Sequence, residues 1–313
     1  MNKNLLDALL GLLEPWLLGL NTMGIAGVSI FFFLSSFLVW TSWARDPNVK
    51  RFFWRRSLRI FPALWVVTLA SVFVLGLTIT VLSAHDYFAA PSTWQYLRTV
   101  VLVSPNTLPR LFPANLLPYV VNGSLWTLPD EYFCYVTFAV VGSVIGIVKA
   151  RRRVALAGAA VGFGDRVVGA RFVPHLEMVA LFWWGVFYGY WRQAASGRWA
   201  VGLSVVAFLV FACFGSRGAK RAAVLACSAL MAHEAMSMPG GLKWTDRLGE
   251  LSYGVYILAF PVQQLGILWA IGRNLSFAAS LLWSCVVTLL LAYASWHLVE
   301  KSALRFKPGG VPT

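Results

Sequence analysis

The chain has 313 residues, 59% of them hydrophobic and 12% charged, with a net charge of +14. A soluble globular protein carries about 25% charged residues, so the composition excludes an ordinary soluble domain. The positive excess does not require a nucleic-acid partner, because Lys and Arg of polytopic membrane proteins collect on cytoplasmic loops.

Repeated apolar runs of about 20 residues match the length needed to cross a hydrocarbon core of roughly 30 Å. The expected fold is all-α: a transmembrane helical bundle of about nine spans in the lipid bilayer. In chain order, residues 1–23 are apolar but broken by Asp7, Glu14 and Pro15. They are read as an interfacial segment on the outer face, not as a span or a signal peptide. Spans are predicted near 24–44, 60–83, 132–148, 153–171, 175–191, 199–216, 222–238, 251–272 and 275–298. The fourth is interrupted by Asp165 and Arg166, the seventh by His233 and Glu234. Residues 84–130, rich in Pro, Asn, Ser and Thr, form the longest non-spanning stretch. A tail, 307–313, closes the chain after a membrane domain over 24–306. The four cysteines, Cys134, Cys213, Cys227 and Cys285, lie in apolar segments without metal-ligand spacing, so no metal is expected.

Orientation follows from the basic residues. With the Arg45–Arg59 loop in the cytoplasm, about twice as many Lys and Arg fall on inside loops as on outside ones. The C-terminus is then cytoplasmic and residues 84–130 face outward.

Four polar strings stand out against this apolar background. "WRRSLRIFP" puts Arg55, Arg56 and Arg59 at the inner lip of a span. Arg56 and Arg59 share a helix face, and two guanidiniums make a fork for phosphate oxygens; plain topology charge is the alternative. "NGSLWTLPDEYFCYV" gathers Asn122, Ser124, Trp126 and Thr127 before Glu131. An acid at the mouth of a span is costly unless paired or functional, although a helix cap and an interfacial tryptophan would also account for the pieces. "LGELSYGVYILAFPVQQ" aligns Ser252, Tyr253 and Tyr256, which either line a site or bridge helices. "WHLVEKSALR" sets His297 and Glu300 three residues apart, as a cap or ion pair.

In this order and spacing, together with "GVSIFFFLSSFLV" and "LFWWGVFYG", the strings resemble the acyltransferase 3 family of bacterial integral membrane O-acyltransferases, over about residues 24–306. The resemblance implies a bundle of about ten helices in the bacterial inner membrane. It implies transfer of an acyl group, most often acetyl, from cytoplasmic acyl-CoA, with acetyl-CoA the usual co-substrate. The acceptor is a hydroxyl of an extracytoplasmic or envelope carbohydrate. It maps the paired-arginine motif of the family onto Arg56 and Arg59, with Arg55 beside them, as the acyl-CoA site. It maps the Trp–Glu motif onto Trp126 and Glu131 as catalytic residues. Asn122, Ser124, Tyr253 and Tyr256 are then candidates for substrate binding, and homo-oligomers are compatible with the family.

The chain also departs from the pattern. The family begins with an additional span carrying a histidine regarded as catalytic. Residues 1–20 resemble the loop after it, so the first span is expected to be missing: either the true start lies upstream, or the chain is a degenerate, inactive member. The family often has His at the position of Ala259 and usually Gly at that of Ser36. His85, His175, His233 and His297 do not occupy the motif position, which leaves Glu131 as the candidate on the acceptor side, as base or as orienting group. A multi-pass transporter or a non-catalytic remnant stands as the alternative function.

Overall fold

The computed structural model describes residues 23–144, 176–194 and 250–308. The segment 1–22, the expected spans at 153–171, 199–216 and 222–238, and His175 and His233 lie outside them. In their described parts, two compact units divide the chain. One holds Asn2–Phe52 and Asp130–Gly241, the other Phe53–Pro129 and Leu242–Thr313.

The described residues are helical, apart from loops and one isolated antiparallel bridge, Thr107 to Val120. Four helical stretches are long and apolar enough to cross a membrane: Gly27–Arg45, Val49–Ile79, Ser252–Arg273 and Phe277–Leu304. They correspond to the expected spans at 24–44, 60–83, 251–272 and 275–298. The expected count of about nine is not reached among the described residues.

In the first unit, α1 (Met23–Arg45) packs on α6 (Leu176–Ala194). Without water to drive association, membrane helices approach through small residues. Gly185 and Gly189, one turn apart, supply them. A Cβ on Gly189 would lie 2.6 Å from Cδ1 of Trp40, and one on Gly185 would collide with Ser36 and the Phe33 carbonyl. Ser36 is fully buried there, donating to the Phe33 carbonyl at 2.7 Å. Around this contact, Trp43, Phe52, Phe138, Phe182 and Trp183 meet mostly edge-on, with Trp43 and Phe52 at 5.4 Å between ring centres. Such pairs stabilise by about 0.5–1.5 kcal/mol each beyond area burial.

α1 stops at Asp46 and Pro47, since the residue before a proline is pushed out of the α region. Asn48 then accepts from the Arg51 amide at 3.0 Å and starts α2 (Val49–Ala70). This corrects the expected loop over 45–59. Only residues 46–48 are non-helical, and Lys50, Arg51, Arg55, Arg56 and Arg59 all stand on α2. Asn48 is a favoured N-cap, Arg and Lys are good helix formers, and Pro62 lies inside the helix rather than at its start.

In the second unit, α2 continues through a π-helical turn, Ser71–Gly76, to Ile79. The Tyr87 hydroxyl donates to the Val72 carbonyl within that turn at 3.0 Å. A Cβ on Gly76 would occupy the place of that hydroxyl, and groups inserted into the ladder are a usual cause of such turns. Two short helices follow, α3 (Ala84–Ala89) and α4 (Pro91–Tyr96). A core of Val72, Tyr87, Tyr96, Leu108, Leu111, Phe112 and Val121 holds them and the loop to α5 (Thr127–Val144).

Further on, α7 (Ser252–Arg273) packs on α8 (Phe277–Ser295), which extends through a π-turn, Trp296–Glu300, to Leu304. The buried residues of α8 are Ser280, Ser284, Thr288 and Ala292, one small residue per turn. Leu281, Leu282, Val286, Leu289 and Leu290 are exposed. Small and polar inside with large and apolar outside reverses the soluble pattern and suits a lipid surround.

Candidate active site

Within the second unit, α2 carries Arg55, Arg56 and Arg59 half-buried within about one turn. Arg59 donates from its guanidinium to the Glu250 carboxylate, just before α7. The C-terminal segment joins them, as the Trp54 indole donates to the Phe306 carbonyl at 2.9 Å. Lys307 lies next along the chain. Desolvation, and then the positive charges of Arg59, Arg56 and Arg55 working against Glu250, push its ammonium below the ordinary lysine range. Burial pushes the Glu250 carboxyl up, but Arg59, Lys307 and Arg56 outweigh it and hold the group below the usual carboxylate range. Two strings far apart in sequence thus form one basic cluster around the Glu250 carboxylate. Lys307 was not singled out by sequence, because its importance lies in where the chain end packs. His297 and Glu300 sit in the π-turn of α8. The His297 ring lies against Tyr293, with centres 4.3 Å apart and planes tilted by 50°, and buried Glu300 accepts from Ser295 at 2.8 Å.

The "NGSLW" string lies against α7 in the same unit. Pro261 has no amide hydrogen, so the carbonyl four residues earlier, on Ile257, loses its helical donor. The Asn122 side-chain amide fills that place at 2.8 Å and is fully buried. Its oxygen accepts from the Ser124 hydroxyl at 2.6 Å. Tyr256 donates to the Ser124 carbonyl and shares a hydrogen bond with Thr127. Tyr253 donates to the Ile60 carbonyl at 2.8 Å, one residue beyond Arg59. The structure therefore brings Asn122, Ser124 and Tyr256 together, while Tyr253 ties α7 to the arginine turn. Trp126 is half-buried immediately before α5.

Glu131 belongs to the other unit. It lies in the second turn of α5, because the helix starts five residues before the expected span at 132–148. Only 5% of it is exposed. The Tyr135 hydroxyl, one turn on, donates to Oε1, as does Ser35 of α1 at 3.3 Å. Ser35 and Tyr135 are 3.2 Å apart. Two hydroxyls thus converge on one carboxylate oxygen, and a buried carboxylate needs such partners. The spacing of Glu131 and Tyr135, four residues on a helix, is visible in sequence; Ser35, 96 residues away, is not.

The chain belongs to the acyltransferase 3 family, whose acyltransferase domain matches residues 5–297. It is 30% identical over 305 residues to an O-acetyl transferase of Shigella phage Sf6, covering 95% of this chain and 90% of the relative. It is 30% identical over 323 residues to nodulation protein 10 of Rhizobium leguminosarum bv. viciae, covering 90% and 82%. It is 27% identical over 313 residues to the exopolysaccharide production protein ExoZ of Rhizobium meliloti strain 1021, covering 91% and 90%. No solved structure matches it. The chain is a membrane acyltransferase.

Proposed function

We propose that the protein moves an acyl group, acetyl in the simplest case, from cytoplasmic acyl-CoA to a hydroxyl of an extracytoplasmic or envelope carbohydrate, working in the bacterial inner membrane with its C-terminus in the cytoplasm. The observation that carries the donor assignment is the cluster of Arg55, Arg56, Arg59 and Lys307. Coenzyme A presents a pyrophosphate and a 3′-phosphate, and guanidinium forks bind phosphate oxygens in pairs. Similarity to the phage O-acetyl transferase and to the exopolysaccharide production protein supports the reaction and the acceptor class.

In this reading Glu131 is the general base, and Trp126 contributes to the acceptor site as its partner in the motif. The carboxylate takes the proton of the acceptor hydroxyl as that oxygen attacks the thioester carbonyl carbon. The C–O bond forms, the C–S bond breaks, and coenzyme A leaves with the sulfur electron pair. Asn122, Ser124 and Tyr256 act by holding the backbone around the α7 proline, and Tyr253 by tying α7 to the arginine turn.

The test uses purified protein in proteoliposomes with radiolabelled acetyl-CoA and envelope glycan, measuring donor binding and transfer separately. Arg56→Ala should weaken acetyl-CoA binding. Glu131→Gln should leave donor binding intact and cut transfer by about 10²–10⁴, the usual contribution of a positioned base. Full transfer by Glu131→Gln would remove the base assignment, and unchanged binding by Arg56→Ala would remove the donor site.

A further inference from the structure

Residues 106–121 form a loop closed on itself. The Leu108 amide donates to the Tyr119 carbonyl at 3.1 Å, the Tyr119 amide to the Leu111 carbonyl at 2.9 Å, and the Val121 amide to the Asn106 carbonyl at 2.7 Å. Gln264 of α7 clamps it, donating to the Leu117 and Val120 carbonyls at 2.9 and 2.6 Å. The Asn115 side-chain amide returns a bond to the Gln264 backbone carbonyl at 2.8 Å. The loop is therefore held in one shape before anything binds.

That shape includes left-handed backbone at Arg110, with φ 56°, at Phe112, 51°, and at Tyr119, 68°. This region is costly for residues with a bulky side chain, and such strain tends to collect at ligand sites. Packing explains part of it: the turns at Arg110 and Phe112 let Leu111 and Phe112 both enter the core. At Tyr119 the left-handed turn serves the two backbone bonds that close the loop, and it leaves the ring 38% exposed. Tyr119 and Arg110 border an open depression of about 580 Å³, with Ser92 and Thr107 alongside and Leu82 and Pro109 as its apolar part. Among the described residues Arg110 forms no ion pair with a carboxylate.

We propose that this depression is a sugar-binding subsite that takes a carboxylated pyranose. It rests on the reading of a carbohydrate acceptor given above. A pyranose presents an apolar C–H face that lies on an aromatic ring and a polar rim that meets hydroxyls such as those of Ser92 and Thr107. The planar guanidinium fork of Arg110 matches the two oxygens of a carboxylate. An open, mixed site of this volume falls within the range of ligand pockets.

The experiment measures binding of tetragalacturonate and of neutral galactotetraose to the purified full chain in detergent, without acyl-CoA. Wild type should bind the acidic tetramer about tenfold better, the size of one charge-assisted contact. Arg110→Gln should remove that preference while neutral binding persists. Tyr119→Asn should weaken both at least tenfold. Because Asn tolerates the left-handed region, this variant should also melt no lower than wild type. Retained preference in Arg110→Gln, or retained binding in Tyr119→Asn, overturns the subsite, and so does equal affinity of wild type for the two sugars. A lower melting temperature for Tyr119→Asn would assign the ring to packing and overturn it too. Failure of acetyl-CoA to bind or transfer in the separate assay would strike the acyltransfer chemistry and leave these sugar affinities as they are.

Discussion

Arg59 donates to Glu250 across 191 residues of sequence, and the pair is open to water, with side chains 34% and 60% exposed. A pair of that kind contributes at most about 1 kcal/mol, so a phosphate can displace the carboxylate at small cost. Glu250→Gln is expected to change stability by less than about 1 kcal/mol. It should tighten acyl-CoA binding by about two- to fivefold, read by calorimetry in detergent. The pH dependence has a definite sign. The folded value lies below the ordinary 4.5, so the contribution is present above that pH and is lost as pH falls through the lowered value. Glu250→Gln should abolish this acid-side loss in melting curves.

Lys307 is the counterpart. Its ammonium is disfavoured in the fold by desolvation and by three arginines. Lys307→Gln should therefore leave the donor-free protein as stable or slightly more stable, while acyl-CoA binds several-fold more weakly. A fall in both would mean that Lys307 serves packing rather than the donor.

Tyr135 and Ser35 hold Glu131. Removing a hydrogen-bond partner from a buried carboxylate costs about 1–3 kcal/mol. Tyr135→Phe should lower thermal stability by that amount and slow transfer, since the carboxylate loses a donor that holds it in place. Ser35→Ala, at the longer contact, should do less of both. Transfer by Tyr135→Phe at the wild-type rate would show that the hydroxyl does not position Glu131.

Much of this was legible in the chain. The four span-length helices lie where the apolar runs put them, and the arginine and Glu131 strings stand out as charge in an apolar background, their roles being what the family resemblance implies. The start of α2 was not legible, because a run of charge before a proline reads as a loop unless the cap at Asn48 is weighed. Nor was the partnership of Arg59 with Glu250 or of Glu131 with Ser35. Each joins distant segments, and nothing local in either segment names the other.

Gly185 and Gly189 show a signal present in sequence but carried only by geometry. Their one-turn spacing becomes meaningful once Ser36, Phe37 and Trp40 are seen against them. Gly189→Ala should cost about 1–3 kcal/mol, the usual penalty of overpacking, measured as a lowered melting temperature. Gly185→Ala should cost at least as much, because the Phe33 backbone cannot rotate away as a side chain can. Either variant melting like wild type would mean that α1 and α6 do not approach this closely.

The bond from Asn122 to the Ile257 carbonyl answers a vacancy that Pro261 creates. Asn122→Ala should therefore cost about 1–3 kcal/mol, the penalty for stranding a buried carbonyl. Pro261→Ala restores an amide hydrogen that can reach the same oxygen. In that background the loss of Asn122 should cost less, by a coupling of about 0.5–3 kcal/mol typical of residues sharing a partner. A double-mutant cycle on thermal or denaturant stability measures it. Additive costs would show that Asn122 does not stand in for the missing proline donor, and its burial would then have to be explained by Ser124, whose hydroxyl it also accepts.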